Sequence, residues 1–114
     1  MTRPERRKER RYRILVPLEY VCPERDLPGK GKIRDISVSG MYVEQFDHDL
    51  DVGDRVRAPL WLLADTTTVF LEGNVVRSEP GGFAVRFQEM DSRAEETLRQ
   101  VLPQAEQRER SRRR

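Results

Sequence analysis

Arg6-Arg7-Lys8-Glu9-Arg10-Arg11 sets four arginines and a lysine within six residues. The planar fork of arginine donates two parallel hydrogen bonds to a phosphate or to the O6/N7 edge of guanine. Its flat face also stacks on a purine, whereas lysine offers only a point charge. Such a run can hold an anion, and Arg7 and Arg11 form an RxxxR pair within it. Farther along, Asp35-Ile36-Ser37-Val38-Ser39-Gly40 brings complementary groups in a DxSxxG pattern. A carboxylate at Asp35 can bridge the adjacent N1–H and N2–H2 donors of guanine. The Ser37 hydroxyl can donate to a phosphate or base acceptor, Ser39 adds a second hydroxyl, and Gly40 lets a backbone come close with no Cβ in the way. Together the two stretches have the makings of a nucleotide site.

These groups need a scaffold, and the surrounding chain reads as strands. Ile14, Val16, Leu18, Tyr20 and Cys22 alternate with Leu15, Pro17, Glu19 and Val21, the two-residue period of a half-buried strand. Pro17 cannot donate a ladder hydrogen bond, which places this strand at an edge or beside a bulge. Pro23 to Lys32, with Pro28-Gly29-Lys30-Gly31, reads as turn chemistry, and Ile33 to Val38 as the second strand. Ser39-Gly40 then interrupts the pattern before Met41, Tyr42 and Val43 resume it, so Gly40 is expected at a sharp turn or bulge, with positive φ or a close backbone approach. Val56, Ala58, Leu60 and Leu62 alternate next, then Val69, Leu71, Gly73 and Val75 after a turn at residues 65–68. Phe83, Val85 and Phe87 follow the Pro80-Gly81-Gly82 reversal.

Six strands with turns between them predict a mainly β fold, an antiparallel meander closed into a six-stranded barrel. Ser92-Arg93-Ala94-Glu95 has capping-box spacing, and Ala94, Leu98, Val101 and Leu102 form one apolar helical stripe to cover the barrel. Pro103 is expected to end that helix. The domain reading is therefore a flexible basic arm over residues 1–12, a barrel with its helix over 13–103, and a disordered arginine-rich tail over 104–114.

At 114 residues the chain has room for one modest core, and 36% apolar against 37% charged residues describes a water-soluble protein. No run is long and apolar enough for a membrane span, and no secretory signal precedes the barrel. The net charge of +2 is unevenly spread: residues 1–13 carry seven Lys/Arg against two Glu, a net +5, and residues 104–114 five Arg against two Glu, a net +3. The body between them is thus acidic by −6, which argues against a barrel face that grips nucleic acid. The lone Cys22 has no partner for a disulfide, in keeping with a reducing cytoplasm.

In order and spacing, the RxxxR pair and the DxSxxG pattern resemble the PilZ domain family, over about residues 5 to 103. The resemblance implies a PilZ-like split barrel and a receptor for the bacterial second messenger cyclic di-GMP, with Arg7, Arg11, Asp35, Ser37 and Gly40 as ligand residues. Arg6 precedes the pair, where the family associates an arginine with taking the ligand as a stacked dimer. Arg10 and Ser39 stand beside the two motifs as further candidates. Arg77 occupies the place, just before the Pro-Gly reversal, where some members carry a ligand-facing residue. The resemblance also implies an unidentified downstream protein partner in motility, adhesion, exopolysaccharide or biofilm control, a monomer or weak dimer, and no cofactor.

Other readings are weaker. His48 lies among Asp47, Asp49 and Asp51, but the spacing and glycine of a calcium loop are missing, so an exposed hairpin loop without metal is expected. Cys22 reads as a small apolar residue, and Trp61 and Phe87 as packing residues rather than stacking platforms. No Ser-His-Asp or Cys-His grouping and no P-loop supports an enzyme. Two alternatives remain beside the receptor: a ligand-independent adaptor that uses the barrel for protein contacts, and a small-barrel nucleic-acid binder held by the basic ends.

Overall fold

The structure, a computed structural model, describes residues 9–25, 27–44, 50–62, 67–88 and 90–112. Among them are six strands, β1 (Tyr12–Cys22), β2 (Leu27–Ile36), β3 (Gly40–Glu44), β4 (Arg55–Leu62), β5 (Thr67–Glu79) and β6 (Gly82–Phe87), followed by one long helix, α1 (Ser92–Arg112). The strands close into an antiparallel barrel of order β1-β2-β3-β6-β5-β4. This is not the simple meander expected from the order of strands. Two three-stranded units, β1-β2-β3 and β4-β5-β6, are joined where β3 pairs with β6, and again at Val21↔Arg57, the one β1–β4 pair among the described residues.

The connection after β3 makes the crossover possible. Leu50 is buried on it, and its end is fastened to β5 by hydrogen bonds from Gly53 N–H to Val75 O, from Val75 N–H to Asp54 O and from the Ser78 hydroxyl to Leu50 O. His48 and the neighbouring 45–49 lie outside the described residues. Among the described residues no group of three or more His, Cys, Asp and Glu comes together, and no helix is long and apolar enough to cross a membrane.

The period-two pattern is realised where it was clearest. Ile14, Leu18, Tyr20 and Cys22 on β1, and Val56, Ala58, Leu60 and Leu62 on β4, point into one core. Pro17 faces Lys32 of β2 just beyond a register shift between Arg13 and Val16, and the β1–β4 pairing begins only at Val21, so its missing N–H goes unneeded. β2, however, starts six residues before Ile33. Pro28, Gly29, Lys30 and Gly31 are ladder residues rather than a turn, because Gly29 lies opposite Tyr20 and a Cβ there would come within 3.0 Å of the tyrosine ring. The glycine makes room for a ring that meets Phe83 edge-on, 5.6 Å between centroids.

Phe87 is buried as expected of a packing residue, but Trp61 is 46% exposed on the outer face of β4. Asp91, not Ser92, caps α1: its carboxylate accepts the Ala94 N–H at 2.8 Å, and Glu95, expected to close a capping box, pairs instead with Arg99. Nor does the helix stop at Pro103. It continues to Arg112, and Ala105, one turn past the stripe of Leu98, Val101 and Leu102, is buried too. An interior proline costs about 3 kcal/mol of helix stability, and burial of Ala105 beyond it offsets part of that cost. The expected tail from residue 104 is therefore helical as far as Arg112.

Candidate functional site

β2 departs from strict alternation at the residues that matter. Ile33 faces Val43 of β3 and Asp35 faces Tyr42, so Arg34 is one residue too many on β2. This bulge reverses the side on which the following residues stand. Ile33 and Ile36 both enter the core, at 1% exposure each, while Arg34 and Asp35 are both left partly exposed outside it. A second shift between Val75 and Arg77 does the same on β5, where Val76 and Arg77 are both exposed.

On this outer surface Arg11 reaches Asp35. Its Nε donates to Asp35 Oδ1 at 2.8 Å, and its Nη2 lies 2.7 Å from the same oxygen. The other carboxylate oxygen, Oδ2, has Arg34 Nε at 3.4 Å. The Arg34 guanidinium lies over the Tyr42 ring at 4.1 Å from its centroid, and that of Arg77 is 5.6 Å from the same centroid. Tyr42 donates its phenol proton to Glu79 Oε2 at 2.6 Å, and Glu79 Oε1 has Arg77 Nε at 3.5 Å. A continuous row of polar contacts thus runs Arg11, Asp35, Arg34, Tyr42, Arg77 and Glu79, the last five on β2, β3 and β5. Burial, and after it the bond to Glu79, raise the Tyr42 phenol above its ordinary value.

The turn beside this row is built from the motif itself. Ser37 N–H donates to Gly40 O at 2.8 Å, and the Ser39 N–H donates to Ser37 Oγ at 3.1 Å. The Ser37 hydroxyl, 1% exposed, is spent inside the turn, whereas Ser39 is exposed with its Oγ 3.2 Å from that of Ser37. Gly40 does not have positive φ. It satisfies the other expectation, close backbone approach: a Cβ there would come within 3.0 Å of Val85 O on β6.

Of the residues singled out in the sequence, Arg11, Asp35, Ser37, Ser39 and Gly40 share this corner, and Arg77 joins it through Tyr42. Arg10 turns elsewhere: its guanidinium lies 4.7 Å from the Tyr12 ring centroid, and its Nη2 binds Glu106 of α1 at 3.0 Å. Arg6 and Arg7 lie outside the described residues. Sequence reasoning missed Arg34, Tyr42 and Glu79. Spacing offered a clue to the first, since Ile33 and Ile36 sit three apart where regular alternation demands two or four; nothing local links Tyr42 to Glu79.

The PilZ domain family model matches residues 5–104. No curated protein matches the chain. Among solved structures it is similar to the PilZ domain of CeSA from a cellulose-synthesizing bacterium, at 17% identity and TM-score 0.67, covering 82% of this chain and 94% of that one. It is also similar to the PilZ domain of YcgR from Escherichia coli, solved with c-di-GMP, at 14% identity and TM-score 0.71 over 95% and 97% of the two chains. The Bacillus subtilis inhibitor of motility MotI/DgrA matches at 19% identity and TM-score 0.64, over all of this chain and 56% of that protein.

Proposed function

Since this chain belongs to the PilZ domain family, we propose that it is a cyclic di-GMP receptor, with Arg7, Arg11, Asp35, Ser37 and Gly40 as its principal ligand residues. The observation that carries this reading is the meeting of Arg11 and Asp35. Two motifs 24 residues apart, each chosen for its chemistry, touch at 2.8 Å on one outer corner. The YcgR domain, of the same fold, was solved with that ligand.

The Arg11–Asp35 pair is the resting state of a site that must exchange partners. Its two side chains are 49% and 20% exposed, and an ion pair so placed contributes only ~0–1 kcal/mol. A phosphate on Arg11 and a guanine edge on Asp35 each bring charge-assisted hydrogen bonds of about 1.5–3 kcal/mol, so exchange is downhill. Ser37 holds the turn, Gly40 lets it pack against the backbone of β6, and Ser39 offers the exposed hydroxyl. Arg77, and Arg34 stacked beside it on Tyr42, add planar cations along the same row. Arg6 and Arg7 extend the guanidinium set, and Arg6 admits a second, stacked ligand molecule. Ligand takes Arg11 and Asp35 from each other, and the changed surface docks a partner protein in the cytoplasm; the ligand shifts partner affinity by the difference it makes between the two states.

Calorimetric titration tests the reading. The parent is expected to bind cyclic di-GMP, and Arg11→Ala or Asp35→Ala to weaken it about tenfold to a hundredfold with the fold intact. If both variants bind like the parent, the site is elsewhere. A parent indifferent to cyclic di-GMP and to GTP is the ligand-independent adaptor. Salt-sensitive binding of a short single-stranded oligonucleotide in its place marks the nucleic-acid binder.

A further inference from the structure

One carboxylate on the unexpected part of α1 holds the arm on both sides of Arg11. Glu106 Oε1 accepts Arg10 Nη2 at 3.0 Å, and Glu106 Oε2 accepts the Arg13 backbone N–H at 3.0 Å. Arg110 Nη2 stands 3.7 Å from Oε1, one helical turn on. The Glu106 side chain is 12% exposed and that of Arg10 63% exposed, so a sheltered carboxylate gathers its donors from the surface. Arg13 is the residue that β1 sets directly opposite Asp35. The same carboxylate therefore fastens the backbone that faces Asp35 and the side chain that precedes Arg11.

We infer that Glu106 is a positioning residue for the ligand site: it holds residues 10–13 so that Arg11 is delivered to Asp35, and it couples occupancy of that site to the last turns of α1. The inference rests on the cyclic di-GMP reading above. It gives that reading a route of output, because coupling between two sites is reciprocal. If a fastened helix end favours ligand, then ligand must stabilise the helix end, at residues 106–112, where a partner can sense it. Burial of Ala105 carries the helix past Pro103, and the contact with the arm gives the turn beyond it a task.

The experiment uses the full chain, its Glu106→Ala and Glu106→Gln variants, and Arg10→Ala, whose side chain is 63% exposed and which leaves the core untouched. Cyclic di-GMP affinity and amide exchange of residues 9–13 and 106–112 are measured with and without ligand. Releasing one arm residue that must then be fixed on binding weakens affinity about fivefold to thirtyfold for Glu106→Ala. Glu106→Gln, with one acceptor oxygen for two donors, is expected to fall between it and the parent. In the parent, ligand should slow exchange at 106–112, and in Glu106→Ala it should not. Arg10→Ala should reproduce part of the loss and add less than its full effect in the double variant. A parent that fails to bind cyclic di-GMP overturns the site reading and this inference together. A parent that binds, with Glu106→Ala binding equally well or with helix-end exchange unmoved by ligand, overturns the positioning role alone.

Discussion

Replacing Gly40 with alanine tests whether the motif glycine serves the barrel before it serves any ligand. Its backbone is not in the left-handed region, so no conformational strain attends the change. The obstacle is Val85 O, within 3.0 Å of the added methyl, with Arg86 Cα 3.5 Å away; both belong to the backbone of β6 and have no rotamer to escape into. β3 must move away from β6 at the Gly40↔Arg86 pair. Overpacking of this kind costs ~1–3 kcal/mol. The shift also pulls Gly40 O from the Ser37 N–H, a bond of 2.8 Å made by a residue 1% exposed. A buried donor left unpaired costs a further ~1–3 kcal/mol. Against this, losing a glycine from the unfolded chain gains about 0.4–1 kcal/mol. The net is a destabilisation of ~1–5 kcal/mol, or a melting temperature lower by roughly 4–20 °C for a domain of this size. Gly53→Ala is the contrast: φ is +99° but no neighbour lies within 4 Å, so only the backbone conformation opposes it, at about 1–2 kcal/mol. Thermal melts followed by circular dichroism settle the matter. If Gly40→Ala melts within 2 °C of the parent, the steric account of this glycine is wrong.

Two further outcomes follow from local geometry. Asp91→Ala should lower stability by ~1 kcal/mol and Ser92→Ala by less than ~0.5 kcal/mol, read from urea midpoints; the reverse order would return the cap to Ser92. Because burial and the bond to Glu79 raise the Tyr42 phenol, the folded protein holds that proton more tightly than the unfolded chain does. The associated stability is complete below about pH 10 and is lost as pH rises through the elevated folded value. The stability gap between parent and Tyr42→Phe should therefore narrow from pH 9 to pH 11, and an unchanged gap refutes it.

β4 and the second half of β1, where every other side chain is buried, were legible because a two-residue period has one structural meaning. Pairing order was not, since no local feature of β3 announces that its partner is β6. Pro28 to Gly31 misled because glycine and proline are read as turn formers, while Gly29 is there to accommodate Tyr20, nine residues earlier in the chain and opposite in the ladder. Pro103 misled because local helix propensity was outweighed by burial of Ala105 and by the ties of Glu106 to the arm. At the site, Arg11, Asp35 and the Ser37–Gly40 turn were legible as residue types suited to one chemistry. Arg34, Tyr42 and Glu79 were not, because their roles depend on which strands become neighbours and on the bulge at Arg34.

That supernumerary arginine has a consequence for anyone who would transplant the corner. An ordinary strand shows one residue in two to the solvent, so a regular ribbon that keeps Ile33 in the core would turn Asp35 inward and Ile36 outward. The miscount has to travel with the letters: a successful graft carries Ile33 to Gly40 whole, together with a neighbouring strand one residue shorter than its partner.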